Sequence, residues 1–570
     1  MKKIYCIYIV LFVFGLFVLE SCQDLDLNPL SEGSSENWYS TEAEIEMSLN
    51  GLFRIVFWPA EKNYDWTDDH QGRATLTPIT NGTINGEWST SNTIWKNAYK
   101  AIARANVLLS NMDKAEEIGI SQTKINQYIA EALFVRAAQH AILCSYYGDV
   151  VYVDREITIE EAYKMSKTPK AEIMARVYQD IDSAVVYLPI TVSGGVQRVT
   201  KGAAYAFKAR YALYNEDWEI AVEAAQNCID LGIYELHPDF SNLFLASTKK
   251  SKESIFVLPR SIEYESILYG AGAIMGFVPR NRGGYASEYP SWELFCSFLC
   301  TDGLPIDKSP LFDRKNPFKN RDPRCAATIV EFGTTHLGVV YDPNPKATMV
   351  YDYQKGQNIT NMDCKSGSQY ASYNGLILKK GVDTTWVSHS FKVDPDYIII
   401  RYADVLLMYA ESKIELNEID ETVLNAINSV RARAYGVNVT ATSQYPAVTT
   451  TDQNELRKIV RIERRMELAY EGLRYMDIIR WRLAEKALNR PSYGLLDKDL
   501  LNQLVTLGFW FFPEIPEIDE DGIADFSSMY NKKFIKLIVQ RSFNADRQYL
   551  WPIPSKEVLI NDSLKQNPNY

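Results

Sequence analysis

The stretch TKGAAYAFKARYALYNEDWEIAVEAAQNCIDL, residues 200–231, carries the reading that decides the fold. It predicts two helices, Thr200 to Asn215 and Trp218 to Leu231, joined by the tight turn Asn215-Glu216-Asp217. Ala203, Ala204, Ala206, Ala209 and Ala212 on the first helix face Ala221, Ala224 and Ala225 on the second, so the two backbones can approach closely. A hairpin like this cannot bury its apolar faces alone. It calls for further helices stacked on either side.

Those helices are legible in both directions. Upstream, Thr41 and Glu44 form a capping box ahead of Ile45, Leu49, Leu52 and Phe53. Helices are expected over Ser91 to Met112 and over Ser121 to Tyr147, the second stopped by Gly148. Another starts at Thr168-Pro169, with Pro at the first helical position, and runs to Leu188. Downstream, helices are expected over Tyr402 to Glu418, Leu424 to Tyr435 and Asp452 to Tyr470, with Asp452 and Glu455 as a second capping box. Residues 235–400 differ: Gly, Pro, Asn and Asp recur every few residues among short strand-like runs such as Ser254 to Leu258. The fold class is therefore mostly α. Helical hairpins resembling tetratricopeptide units, in degenerate form, support an irregular, loop-rich part with minor β-hairpins.

The N-terminus is read as a processing signal rather than fold. Lys2 and Lys3 precede an apolar run from Ile4 to Leu19, too short to span a bilayer, which ends at Ser21-Cys22. A small residue before Cys after such a run is a lipoprotein cleavage site, which makes residues 1–21 a signal peptide and Cys22 the acylated terminus. A retained N-terminal anchor is the alternative. The expected division is then 22–235, helical, and 236–570, helical with loop excursions, packed as one globular unit.

Composition excludes several function classes. A net charge of −12 leaves no basic stripe to neutralise phosphates, so nucleic acid is not a partner. Five His and no HExxH leave a metal enzyme without ligands, and no GxSxG elbow is present. Glu517 to Ser528 opens like a calcium loop but ends in Ser where a bidentate Glu is needed, so a hairpin turn at Asp521-Gly522 is the better reading. Cys144, Cys228, Cys296, Cys300, Cys325 and Cys364 are scattered like buried small hydrophobes rather than a disulfide framework. Glu463, Glu467 and Glu471 recur at helical spacing and could pass for a glycosidase pair. Arg461, Arg464, Arg465, Arg474 and Arg480 beside them favour structural clamps, because an arginine keeps a carboxylate ionised and unfit as a general acid. The expectation is no catalysis and no cofactor.

Four segments resemble the SusD/RagB family. They are Ala130 to Ala137 with Tyr147 to Val151; Ile400 to Glu411; Ile462 to Asp477 with Arg480-Trp481; and the tail Leu550 to Glu557 closing on Gln566 to Tyr570. Asp322-Pro323-Arg324 is a smaller match. The departures, Val151, Asp404 and Asn569, are local. The resemblance implies an α-helical fold on about four tetratricopeptide-like hairpins, outer-membrane lipidation with exposure at the cell surface, and a lid role on a SusC-like TonB-dependent β-barrel transporter. The implied task is capture of nutrient, usually glycan.

Thirty-six Tyr and eleven Trp are more than packing needs, and ring faces with polar neighbours are what sugars require. Two aromatic, polar stretches are the candidate contacts for an oligosaccharide. From the first come Tyr64, Asp65, Trp66, Asp68, Arg73, Trp88 and Asn92, and from the second Tyr269, Arg282, Tyr285 and Tyr289. Trp95 and Trp292 are expected in the core, while Trp386 and Trp510 are open to ligand or barrel. Peptide capture and a helical-repeat adhesin or scaffold are the rival readings.

Overall fold

A computed structural model describes residues 38–58, 61–192, 198–267, 271–388 and 391–570. The expected signal peptide, Cys22 and Tyr269 lie outside the described residues. Ten main helices carry the fold: α1 (Glu42–Asn50), α2 (Ser89–Ser110), α3 (Gln122–Tyr147), α4 (Lys170–Tyr187), α5 (Lys201–Asn215), α6 (Trp218–Ile229), α7 (Tyr402–Glu415), α8 (Glu421–Ala434), α9 (Gln453–Glu467) and α10 (Arg474–Arg480). The hairpin that opened the reading is α5–α6. Glu216 takes the left-handed conformation (φ 62°) that ends α5, and the small residues on both helices are buried.

From α2 to α8 each helix packs on the next, α2 on α3, α3 on α4 and so on, which makes the expected tetratricopeptide-like stack. α3 sits in its middle and buries nearly its whole circumference from Ala130 to Tyr147. It ends where expected, at Gly148 (φ 73°), where Gly alone avoids strain. The Thr41–Glu44 capping box is complete. At α9 only half of the expected box forms: Asp452 accepts from the Glu455 amide, whereas the Glu455 carboxylate takes the Thr450 hydroxyl. α9 also ends earlier than the spacing predicts. Tyr470 adopts φ 63° and Gly472 φ 78°, so the chain turns after Glu467 and Glu471 lies outside the helix. Pro169 stands at the cap of α4 rather than inside it.

The loop-rich part contains short antiparallel ladders. β1 (His70–Gly72), β2 (Ser254–Leu258) and β3 (Glu288–Pro290) precede a four-stranded sheet of β4 (Thr334–His336), β5 (Val339–Tyr341), β6 (Met349–Asp352) and β7 (Gln357–Thr360) in sequential order. β2 pairs with β8 (Tyr397–Arg401), and β9 (Pro491–Gly494) pairs with Lys536–Gln540. The calcium-like segment is a hairpin, Glu517–Ile518 against Ala524–Asp525, turning through Gly522 at φ 73°. The six later cysteines are buried free thiols. Among the described residues no helix is long and apolar enough to cross a membrane.

Candidate functional site

Two of the four segments, Ile400 to Glu411 and Ile462 to Asp477, meet the Asp322–Arg324 match in a buried web of charge centred on α9. Arg324 donates to Glu463 at 2.7 Å and to Glu467 at 2.9 Å, while Asp322, two residues before it, grips its other edge at 2.8 Å. Arg401 and Arg433 close on the same Glu467, and Arg401 also holds Glu471 and Glu253. Beside them on α9, Arg464 binds Asp404 at 2.9 Å and Asp477 at 3.1 Å, and Arg210 of α5 reaches Asp404 at 2.6 Å. Burial alone would raise the Glu467 carboxyl. Arg433, Arg401 and Arg324 overcome it and hold Glu467 well below the usual carboxylate range. Glu463 and Glu467 are sealed from solvent, so no substrate bond can lie between them. Clamping is the role of this cluster.

The web also anchors the loops. Arg465 donates to Asp69 at 2.9 Å and to Asp68 at 2.8 Å, and Arg474 donates to Asp68 at 3.0 Å. This fixes the segment leading into β1. β1 in turn pairs with β3 in the register His70–Pro290, Gln71–Tyr289 and Gly72–Glu288. The two candidate stretches, some two hundred residues apart in the chain, are therefore adjacent strands.

Most of the named aromatics hold this platform up rather than face outward. Trp66 is 4% exposed, packed edge-on against Trp551 (5.1 Å) and Tyr475 (5.5 Å), and Tyr289 is 0% exposed. Trp88 is half-buried against Trp551. Both carboxylate oxygens of Asp68 are taken by arginines. Arg282 is locked to Asp352 and to the carbonyls of Leu337 and Gly338. Four of these, Trp66, Asp68, Tyr289 and Arg282, are corrected to supporting roles: a buried ring has no face to offer, and a clamped charge has no free direction. Asn92 lies in the first turn of α2 and is half-buried. Tyr64 is buried between His70 and Tyr470, ring centroids 5.0 Å and 5.2 Å away, with Asp65 beside it half-buried. Trp95 and Trp292 are core, as expected. Trp386 is buried, but it lines a cleft of about 150 Å³ with Tyr64, Phe277, Tyr397 and Tyr470, and Trp510 packs on Phe332.

What remains outward is a rim. Tyr285 is 43% exposed and Tyr370 48%. Arg73 lies between their segments: one terminal nitrogen donates to the Tyr285 carbonyl and, at 2.9 Å, to the Tyr370 carbonyl, and its guanidinium stands 5.4 Å from the Tyr370 ring centroid. Arg73 ties three loops together without a carboxylate. Two ring faces flanking a guanidinium can stack on apolar C–H faces and donate to hydroxyls. Tyr370 was missed in the sequence. Its signal was the Gly-Ser-Gln-Tyr-Ala-Ser-Tyr run at 367–373, an aromatic–polar alternation like the two stretches already chosen.

Comparison with known proteins agrees with this architecture. Residues 252–570 match the family model described as the SusD family, and residues 57–213 match one described as starch-binding associating with outer membrane. SusD-like protein P2 of Formosa agariphila is 26% identical over the full length of both chains. Among solved structures, a SusD-like carbohydrate-binding protein of Bacteroides fragilis is 28% identical, with a TM-score of 0.75 over 92% of this chain and 99% of that one. A laminarin-binding SusD-like protein, 20% identical, shares the fold with a TM-score of 0.57 over 93% of this chain and 100% of that one. With more than half of its length under the first model, the chain belongs to the SusD family.

Proposed function

We propose that this protein captures an oligosaccharide on the rim formed by Arg73, Tyr285 and Tyr370, and hands it on without transforming it. The exposed pair of tyrosine rings on a rigid, ion-locked base is the observation that carries the reading. The carbohydrate, glycan and laminarin binding named for related structures supports it. Lipidation at Cys22, exposure at the outer-membrane surface and delivery to a SusC-like TonB-dependent barrel complete the proposal. Burying about 80 Å² of apolar sugar on each ring contributes roughly 2 kcal/mol. After the costs of association, affinities on the order of micromolar to millimolar follow, weak enough for release to a transporter.

Isothermal titration of the mature protein against hexasaccharides (maltose, laminarin, cellulose and xylan series) and against peptides tests it. Heat with at least one sugar, and a roughly thirtyfold weaker affinity in Tyr285→Ala, are expected. Heat with peptides alone would replace glycan by peptide, and silence to both would leave the rim without a function.

A further inference from the structure

Behind the rim lies a second cavity, of about 180 Å³, between β1, the end of β3 and the ladder of β9 with Lys536–Gln540. A water needs roughly 10–15 Å³ on the same measure, so the space holds on the order of a dozen water-sized groups, the size of one sugar ring with its hydroxyls. Its lining differs from that of the aromatic cleft beside Trp386. Thr67, Thr75, Thr77 and Thr80 supply hydroxyls, and Glu288 supplies a carboxylate that His70 holds at 2.8 Å.

Two lining side chains end in polar atoms that the protein leaves unpaired. Gln71 is 3% exposed. Its amide oxygen accepts from Asn374 at 3.1 Å, and Asn374 is itself fixed by the Pro290 carbonyl at 2.8 Å. The orientation of the Gln71 amide is thereby set, and its Nε2 donor has no partner. Ser492, 2% exposed in β9, has an unpaired hydroxyl as well. A buried polar group left unsatisfied costs about 1–3 kcal/mol, and two of the buried side-chain atoms without a partner belong to residues that line this one cavity. Gly72 and Glu288 line the same space, and Gly72 directly precedes Arg73 of the rim.

We infer that this cavity is a subsite for a single neutral sugar unit, an end or a branch of the captured glycan. Gln71 Nε2 donates to one ring hydroxyl, Ser492 Oγ pairs with a second, and the Glu288 carboxylate accepts from a third. Asp65 and Glu288 line the space beside Arg541, whose guanidinium Glu293 already holds, so the lining disfavours an acidic sugar here. The inference rests on the glycan reading of the rim and adds to it: the protein recognises a terminus, not only the flat face of a chain.

The test uses the hexasaccharide that gives the most heat with the mature protein, and free glucose, galactose, mannose and xylose as competitors. At least one monosaccharide is expected to compete with the hexasaccharide. Ser492→Val, which fills the cavity with a residue suited to a strand, should weaken the hexasaccharide at least tenfold and abolish that competition. Gln71→Glu keeps the acceptor that Asn374 needs and replaces the donor, and it should do the same. Tyr285→Ala should weaken the hexasaccharide while monosaccharide competition persists. If both cavity variants melt like the parent and bind the hexasaccharide unchanged, the cavity holds solvent and the inference falls, with the rim reading intact. If no sugar binds the parent protein at all, both fall together.

Discussion

Arg465 and Arg73 each gather separate pieces of chain, and they do so in opposite ways. Arg465 is buried against Asp68, Asp69 and the Gly522 carbonyl. Arg73 sits at the surface and holds only carbonyl oxygens, those of Tyr285 and Tyr370. A desolvated arginine between carboxylates is fully spent on structure, and removing its partner strands a charge. An arginine on carbonyls at a wet rim keeps net charge and some hydrogen-bonding capacity for a visitor. The same residue type thus marks scaffold in one region and contact surface in the other, and the partner decides which.

The largest expected effect lies in the web. Glu467→Gln removes the charge shared by Arg324, Arg401 and Arg433 and should destabilise the protein by about 3–5 kcal/mol, read as a lower urea midpoint. Protein that does fold should bind the hexasaccharide normally. A variant with an unchanged midpoint would remove the web from the account of stability.

The aromatic residues offer a matched pair. Trp66→Ala empties a site packed by Trp551 and Tyr475 and should cost about 3–5 kcal/mol in denaturant titration, with affinity retained in the folded fraction. Tyr285→Ala should leave stability within about 0.5 kcal/mol. Its affinity should fall by roughly 2 kcal/mol, about thirtyfold. Reversed outcomes would interchange scaffold and rim.

That contrast also shows what could be read from sequence. The helices were legible because apolar spacing, caps and glycine stops are local: α5, α6 and α3 fall within two residues of expectation. The clamping role of the arginines was legible because opposite charges at such density need one another. Which aromatics face water was not. Trp66 and Tyr285 have similar neighbours in the chain, and only the β1–β3 pairing and the distant Trp551 bury one and expose the other. The end of α9 was missed for a comparable reason: Tyr470 carries no signal for a left-handed turn, and the web holds Glu471 in place through Arg401 and Lys380 instead.

Acid should separate the two regions further. Burial would raise the carboxyls of Glu467 and Asp404, but the arginines around them hold both below their unfolded values. A depressed carboxylate contributes its stability fully at neutral pH and loses it as pH falls. The urea midpoint should therefore begin to drop near the ordinary carboxylate range of about 4 and keep dropping below it. A midpoint that is flat or rises on acidification would contradict the assignment of Glu467 and Asp404 as ionised.

The smallest effect expected is the most discriminating, because it changes neither charge nor size much. Arg73→Lys keeps a cation at the rim but loses the planar fork that reaches the Tyr285 and Tyr370 carbonyls together. Both carbonyls stay near solvent, where water replaces the lost donor, so stability should fall by less than about 1 kcal/mol. Affinity should drop only a few-fold, since the rings remain and merely lose their common tether. The same exchange at Arg465 would leave Asp68 and Asp69 sharing one point charge in a desolvated site, and several kcal/mol should be lost. Paired melting curves and titrations of Arg73→Lys and Arg465→Lys read the difference directly. Equal losses of stability in the two would mean that Arg73 is structural after all, leaving Tyr285 and Tyr370 to hold the ligand alone.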